Sequence, residues 1–203
     1  MTELLVALCA VFLVVMGGKA FVAWPNYKGS VYQQLFGSFL EYFWKYSVNQ
    51  DLSRSGYLDS ELGPHRLLYN AYRDANGREA CQFVTVVSTR GVASVCAVHT
   101  PGTVCGGDTG AWHVERDGAR HTLPSPIVYV RRQQKFLGKA LGSAKPASVI
   151  VFDDGADLAG VGCSLPTIHA GELVAWLKAL DATLPEADVE KTFSAIKAQM
   201  TRK

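Results

Sequence analysis

Residues 4–24 read LLVALCAVFLVVMGGKAFVAW, a mostly apolar run interrupted by a single charge, Lys19. Wound as a helix, this run is roughly 30 Å long, about the thickness of a bilayer's hydrocarbon layer. Lys19 can snorkel toward headgroups, and Trp24 suits the membrane interface. The run predicts an N-terminal membrane anchor over residues 1–25, followed by a domain over residues 26–203. Two rivals share the pattern. One is a cleaved signal peptide, with Gly18-Lys19-Ala20 as a loose cleavage site; the other is a buried helix of a soluble domain. Glu3, with no Lys or Arg before the run, is the reverse of a signal peptide's basic start.

Lys19 and Lys28, the basic residues nearest the span, both follow it, so the positive-inside bias predicts a single-pass inner-membrane protein with its C-terminal domain in the cytoplasm. Five cysteines, Cys9, Cys81, Cys96, Cys105 and Cys163, form no dense framework and fit a reducing compartment. Cys81 and Cys96 read as small buried hydrophobes. A chain of 203 residues with 48% hydrophobic content can bury a core, whereas a formal charge of +2 is too small to imply nucleic acid, so any basic footprint must be local.

After Pro25, Val31, Leu35, Phe39 and Phe43 recur every four residues, with Tyr32, Phe36, Leu40 and Trp44 one step round. This predicts one helix over 30–46 with a broad buried face. The polar stretch 49–64 reads as a linker or mobile loop. Next come a hairpin turning at Asn76-Gly77, a third strand over 92–98, a Gly-rich loop over 101–110, and a short strand pair around Trp112 and Leu123 turning at Asp117-Gly118. A helix follows over 126–141. ASVIVF, residues 147–152, has the form of a strand buried on both faces. Helices over 167–180 and 185–200 close an α+β chain.

Several stretches together resemble the NERD (nuclease-related) domain, a family of the PD-(D/E)XK restriction-endonuclease-like fold. They are Gly29 with Tyr32-Gln33, the strand QFVTVV over 82–87, Gly91-Val92, the segment from Gly107 to Trp112, Ser125-Pro126, the strand VIVF over 149–152, and the closing helices. The likeness covers residues 28–197. It implies an N-terminal transmembrane helix followed by a mixed sheet flanked by helices. It also implies a site where a Glu on the first helix, an Asp on the second strand and a Glu-x-Lys on the third would hold a divalent metal. Here those positions are Gln33, Val84, Cys96 and Val98. Hard cations need oxygen ligands, so the implied site lacks its catalyst. Gln33, Gln82, Val84, Thr85, Cys96 and Val98 would line its remnant pocket, with no metal and no cofactor expected.

Displaced acids offer an enzymatic alternative. Glu79, Asp108, Asp74 and Glu61 fall near the hairpin, His99 follows the third strand, and Asp153, Asp154 and Asp157 follow the buried strand. Acids at turns are usually solvated or bonded to nearby backbone. Cys81, Cys96 and Cys105 lack the spacing of a zinc site. Arg131, Lys135 and Lys139 are spaced by four, with Arg132 beside them, and form a stripe that could meet phosphates or serve as an ordinary solvated face. No Walker loop, Gly-x-Gly-x-x-Gly after a strand or Gly-x-Ser-x-Gly elbow is present. The expected work is therefore binding: of DNA, of partner proteins in a membrane complex, or of a second copy. A purely structural role is the remaining alternative.

Overall fold

The computed structural model describes residues 2–74, 77, 79–142 and 145–201. Helix α1, Thr2–Tyr27, is long and apolar enough to cross a membrane. Its first part stands free, while Ala23 and Tyr27 near its end are buried in the domain core, so no clean boundary falls at residue 25.

The expected helix over 30–46 is broken. Helix α2, Val31–Phe36, ends at Gly37, and helix α3, Phe39–Trp44, starts afresh and runs on as a π turn, Lys45–Asn49. Ser30 and Ser38 cap α2 and α3, accepting from the Tyr32 and Glu41 N–H groups. Gly37 has φ +66°, and a Cβ there would lie 2.6 Å from the Tyr57 ring, so only glycine fits. Tyr57 belongs to a helix in the stretch expected to be a loop: α4, Gly56–Leu62, capped by Ser55 and pinned by fully buried Leu58.

Strands β1, His65–Arg73; β2, Glu79–Ser88; and β3, Gly91–Val98, form an antiparallel meander. Of the expected Asn76-Gly77 turn, Gly77 has φ +75° and Asn76 lies outside the described residues. Strands β4, Gly102–Gly107; β5, Trp112–Arg116; and β6, Ala119–Leu123, come next, so the expected Gly-rich loop is largely a strand. Asp117 and Gly118 both take positive φ, as the tight β5–β6 turn requires. Helix α5 is Pro126–Leu141 and strand β7 is Ala147–Phe152, both with the expected bounds. Strands β8, Ala156–Gly162, and β9, Thr167–His169, stand where an acidic loop and the start of a helix were expected. A 3₁₀ turn, Ala170–Glu172, then leads into helix α6, Leu173–Lys178, and helix α7, Glu186–Thr201, ends the described chain.

The main sheet has the order β1-β2-β3-β7-β9, with β7 parallel to β3 and β9 parallel to β7. Strand alternation gives it two buried faces. Leu67, Val84, Val86, Val95, Ala97, Val149 and Val151 pack against α1–α4 and α6. Phe83, Cys96, Val98, Ile150 and Phe152 pack with Ile127 and Val130 of α5 and with a second sheet, β6-β5-β4-β8. Fully buried Trp112 joins the two sheets. Its ring stacks on Phe152 at 6.3 Å, and its Nε1–H donates to the Gly107 carbonyl at 2.8 Å.

Candidate functional site

The six residues expected to line one pocket lie on opposite faces of the sheet. Val84 belongs to the core facing α2, and Gln82, two residues away, points the same way, accepting the Tyr32 hydroxyl at 3.3 Å. Gln33 is also on this side, but its Oε1 accepts the Gly29 N–H at 2.8 Å and caps its own helix. Thr85, Cys96 and Val98 face α5 instead. Thr85 accepts from Gln133 Nε2 at 3.3 Å, and Gln133, almost fully buried, also bonds Asn70 and Tyr72. The third-strand residues that share Val84's face are Val95, directly opposite it, with Ala93 and Ala97 on either side. This corrects the expected set by one residue of strand parity. Val84, Val95 and Ala97 carry no lone pair, so either assignment leaves the carboxylate positions apolar.

On the α2 side a cavity of about 170 Å³ is lined by Tyr32, Tyr69, Asn70, Ala71, Gln82, Phe83 and Val84. Tyr69's hydroxyl oxygen is buried and has no hydrogen-bond partner among the described residues. Burial raises the phenol pKa values of Tyr69 and Tyr32, Tyr32 to about 12, with Glu79 adding a smaller push on Tyr32. Both remain neutral hydroxyls. The cavity therefore presents uncharged hydroxyl and amide residues and no carboxylate among its lining residues.

Charge gathers at the rim. Because β3 and β7 run parallel, His99 and Asp153 emerge side by side just past their C-terminal ends. His99 Nδ1 lies 3.0 Å from Asp153 Oδ1 and 3.3 Å from Oδ2. The hydrogen bond to Asp153 raises the His99 pKa, burial opposes it, and the charges of Asp153 and Glu79 add to the rise. Asp154 ties this rim to the start of α2. Its N–H donates to the Gly29 carbonyl at 3.1 Å, and its Oδ1 accepts the Gly171 N–H at 2.7 Å. Asp157 is on β8, accepting from the Thr103 hydroxyl and the Ala159 N–H. The expected acidic group is thus three separate contacts. The His99–Asp153 pair was legible only as a His after one strand and an Asp after another; the parallel pairing that joins them was not.

Of the other candidate acids, Glu79 is exposed at the start of β2, while Asp108 and Glu61 hold structural contacts. Asp108 accepts from the Ser164 hydroxyl at 2.7 Å and from its N–H, which hold its carboxyl pKa low. Glu61 pairs with Lys178, and Asp74 follows β1, its carbonyl accepting the Gly77 N–H. No group of three or more His, Cys, Asp or Glu side chains able to share a metal occurs among the described residues.

Cys81 and Cys96 are buried as expected, but they are not free thiols: a disulfide joins them across β2 and β3, on the α5 face. Cys9, Cys105 and Cys163 are free. A residue expected at a metal-ligand position is therefore bonded to its neighbouring strand. On α5, Arg131, Arg132, Lys135 and Lys139 are exposed, and none is ion-paired with a carboxylate among the described residues. Arg132 lies over the Tyr129 ring, 5.7 Å from its centroid. Compared with protein-family models, with curated proteins and with solved structures, the chain gives no match in any of the three.

Proposed function

We propose that the chain is a membrane-anchored, catalytically degenerate domain of the restriction-endonuclease-like kind that binds DNA through α5. Helix α2, the antiparallel meander β1–β3, the crossover through α5 and the parallel strand β7 supply that fold's expected order, with β4–β6 inserted between β3 and α5. The exposed cationic stripe on α5, without a carboxylate partner among the described residues, is the observation that carries the binding reading. It lies across the main sheet from α1, so stripe and anchor occupy opposite sides of the domain. On this reading the apolar Val84, Val95 and Ala97 leave the domain a binder, not a cutter, and Lys19 and Lys28 keep it on the cytoplasmic side of the inner membrane.

Replacing Arg131, Arg132, Lys135 and Lys139 with Gln in the full chain tests the stripe. Duplex binding should weaken, and the slope of log affinity against log salt should flatten by about 0.9 for each phosphate that is no longer neutralised. An unchanged slope would return the stripe to an ordinary solvated face.

The Cys81–Cys96 bond favours a second reading. Disulfides persist in oxidising compartments and are rare in the cytosol. With the domain on the outer side of the membrane, the same scaffold meets partner proteins instead of DNA.

A further inference from the structure

The sequence leads one to expect a broad buried face on the first helix after the anchor, yet Leu40 and Trp44 of that face are bare. Leu40, Trp44 and Val48, spaced by four along α3 and its π turn, are 74%, 53% and 41% exposed, while Tyr42 and Phe43 on the other side are buried. The helix that carries this stripe packs on α1 through its neighbouring residues. Phe39 packs edge-on against Trp24 at 4.9 Å and lies 5.4 Å from Tyr27. The π turn comes back alongside α1, and Tyr46, Ser47 and Gln50 share a cavity of about 630 Å³ with Gly18, Lys19 and Asn26. Residues 4–24 of α1 account for roughly 30 Å of helix, so the level of residues 18–26 is where the hydrocarbon gives way to headgroups. The stripe therefore sits at interface depth. It carries Trp44, with Tyr46 beside it, aromatic types that favour that layer, and Lys45, whose stem can lie along apolar surface while its ammonium reaches phosphates.

We propose that α3 and its π turn are a second membrane-contacting element, with the Leu40–Trp44–Val48 face seated in the headgroup–acyl boundary of the bilayer that α1 spans. This rests on reading α1 as the span. An apolar face with aromatic residues and a lysine at its edge suits an element lying in the interface, and here the span next to it sets its depth. Two elements meeting the bilayer side by side would fix the domain's tilt against the membrane, which a single helix cannot do.

The test uses the full chain in phosphatidylcholine–phosphatidylglycerol vesicles, with lipids brominated either near the headgroup or near the bilayer centre as quenchers of tryptophan emission. Wild type is compared with Trp44→Phe and Trp24→Phe; fully buried Trp112 and half-buried Trp176, present in every variant, supply the common background. Headgroup-proximal bromines should quench more than central ones, and Trp44→Phe should remove about half of that quenching, since Trp24 and Trp44 share the interface layer. If Trp24 contributes and Trp44 does not, the proposal is overturned while the anchor stands. If neither contributes, the reading of α1 fails and takes the proposal with it. A Trp44 shielded from both lipid bromines and aqueous acrylamide, in a chain that cross-links to itself, would assign the face to a second copy and also overturn the proposal.

Discussion

His99 and Tyr69 carry titration and burial effects that single substitutions can measure. His99 gains a partner on folding, so its folded pKa exceeds the unfolded value near 6.5. The stability it contributes is then fully present below about pH 6.5 and is lost as pH rises through the folded pKa. The gap in unfolding free energy between wild type and His99→Gln should accordingly be widest between about pH 5 and 6.5 and narrow toward pH 8, by denaturant unfolding at each pH. His65 carries the opposite sign. Burial lowers its pKa, and its Nε2 accepts the Ser55 N–H at 3.2 Å, so it is held neutral and opposes folding as acid charges it. Comparing variants isolates His99 from that background. For Tyr69, a buried hydroxyl without a partner costs about 1–3 kcal/mol, so Tyr69→Phe should raise stability by about 1 kcal/mol. A loss of stability in that variant would mean the hydroxyl is satisfied.

Among the elements, the Cys81–Cys96 bond gives the most direct check. Alkylation of the chain unfolded without reductant should count three thiols, Cys9, Cys105 and Cys163; five would mean that β2 and β3 are held by the ladder alone. Closing a loop of about fifteen residues is worth about 3 kcal/mol, so reduction should lower stability by about that much. Strands β1–β3 and β7 were legible because alternation and a continuous apolar run state their faces directly. The break at Gly37 was not, because Val31, Leu35, Phe39 and Phe43 keep their spacing of four across it. Strand β8, ADLAGVG, is too small and glycine-rich to show an alternating pattern, and β9 is only three residues long. Both are fixed by parallel partners distant in sequence, β4 and β7, which local periodicity does not report. Splitting the remnant-pocket residues between two faces has a similar cause. Val84, Cys96 and Val98 follow from motif position, and one residue of register decides the face.

In the whole molecule, the sheet separates two kinds of surface. The α1–α4 side joins the candidate membrane span, an aromatic cluster and a bare apolar stripe; the α5 side carries cations with no carboxylate partner among the described residues. On the proposed restriction-endonuclease-like reading, the metal of an active relative would sit among carboxylates at positions that are Val84, Val95 and Ala97 here. On the proposed reading the domain is therefore a scaffold that binds without cutting. The measurement that tests this most directly is incubation of the purified full chain with supercoiled plasmid, in Mn²⁺ and in chelator, read on a native gel. A binding scaffold leaves the plasmid intact and retards it equally in both. Nicking that depends on Mn²⁺, tracks the protein through purification and disappears in Glu79→Gln would contradict it.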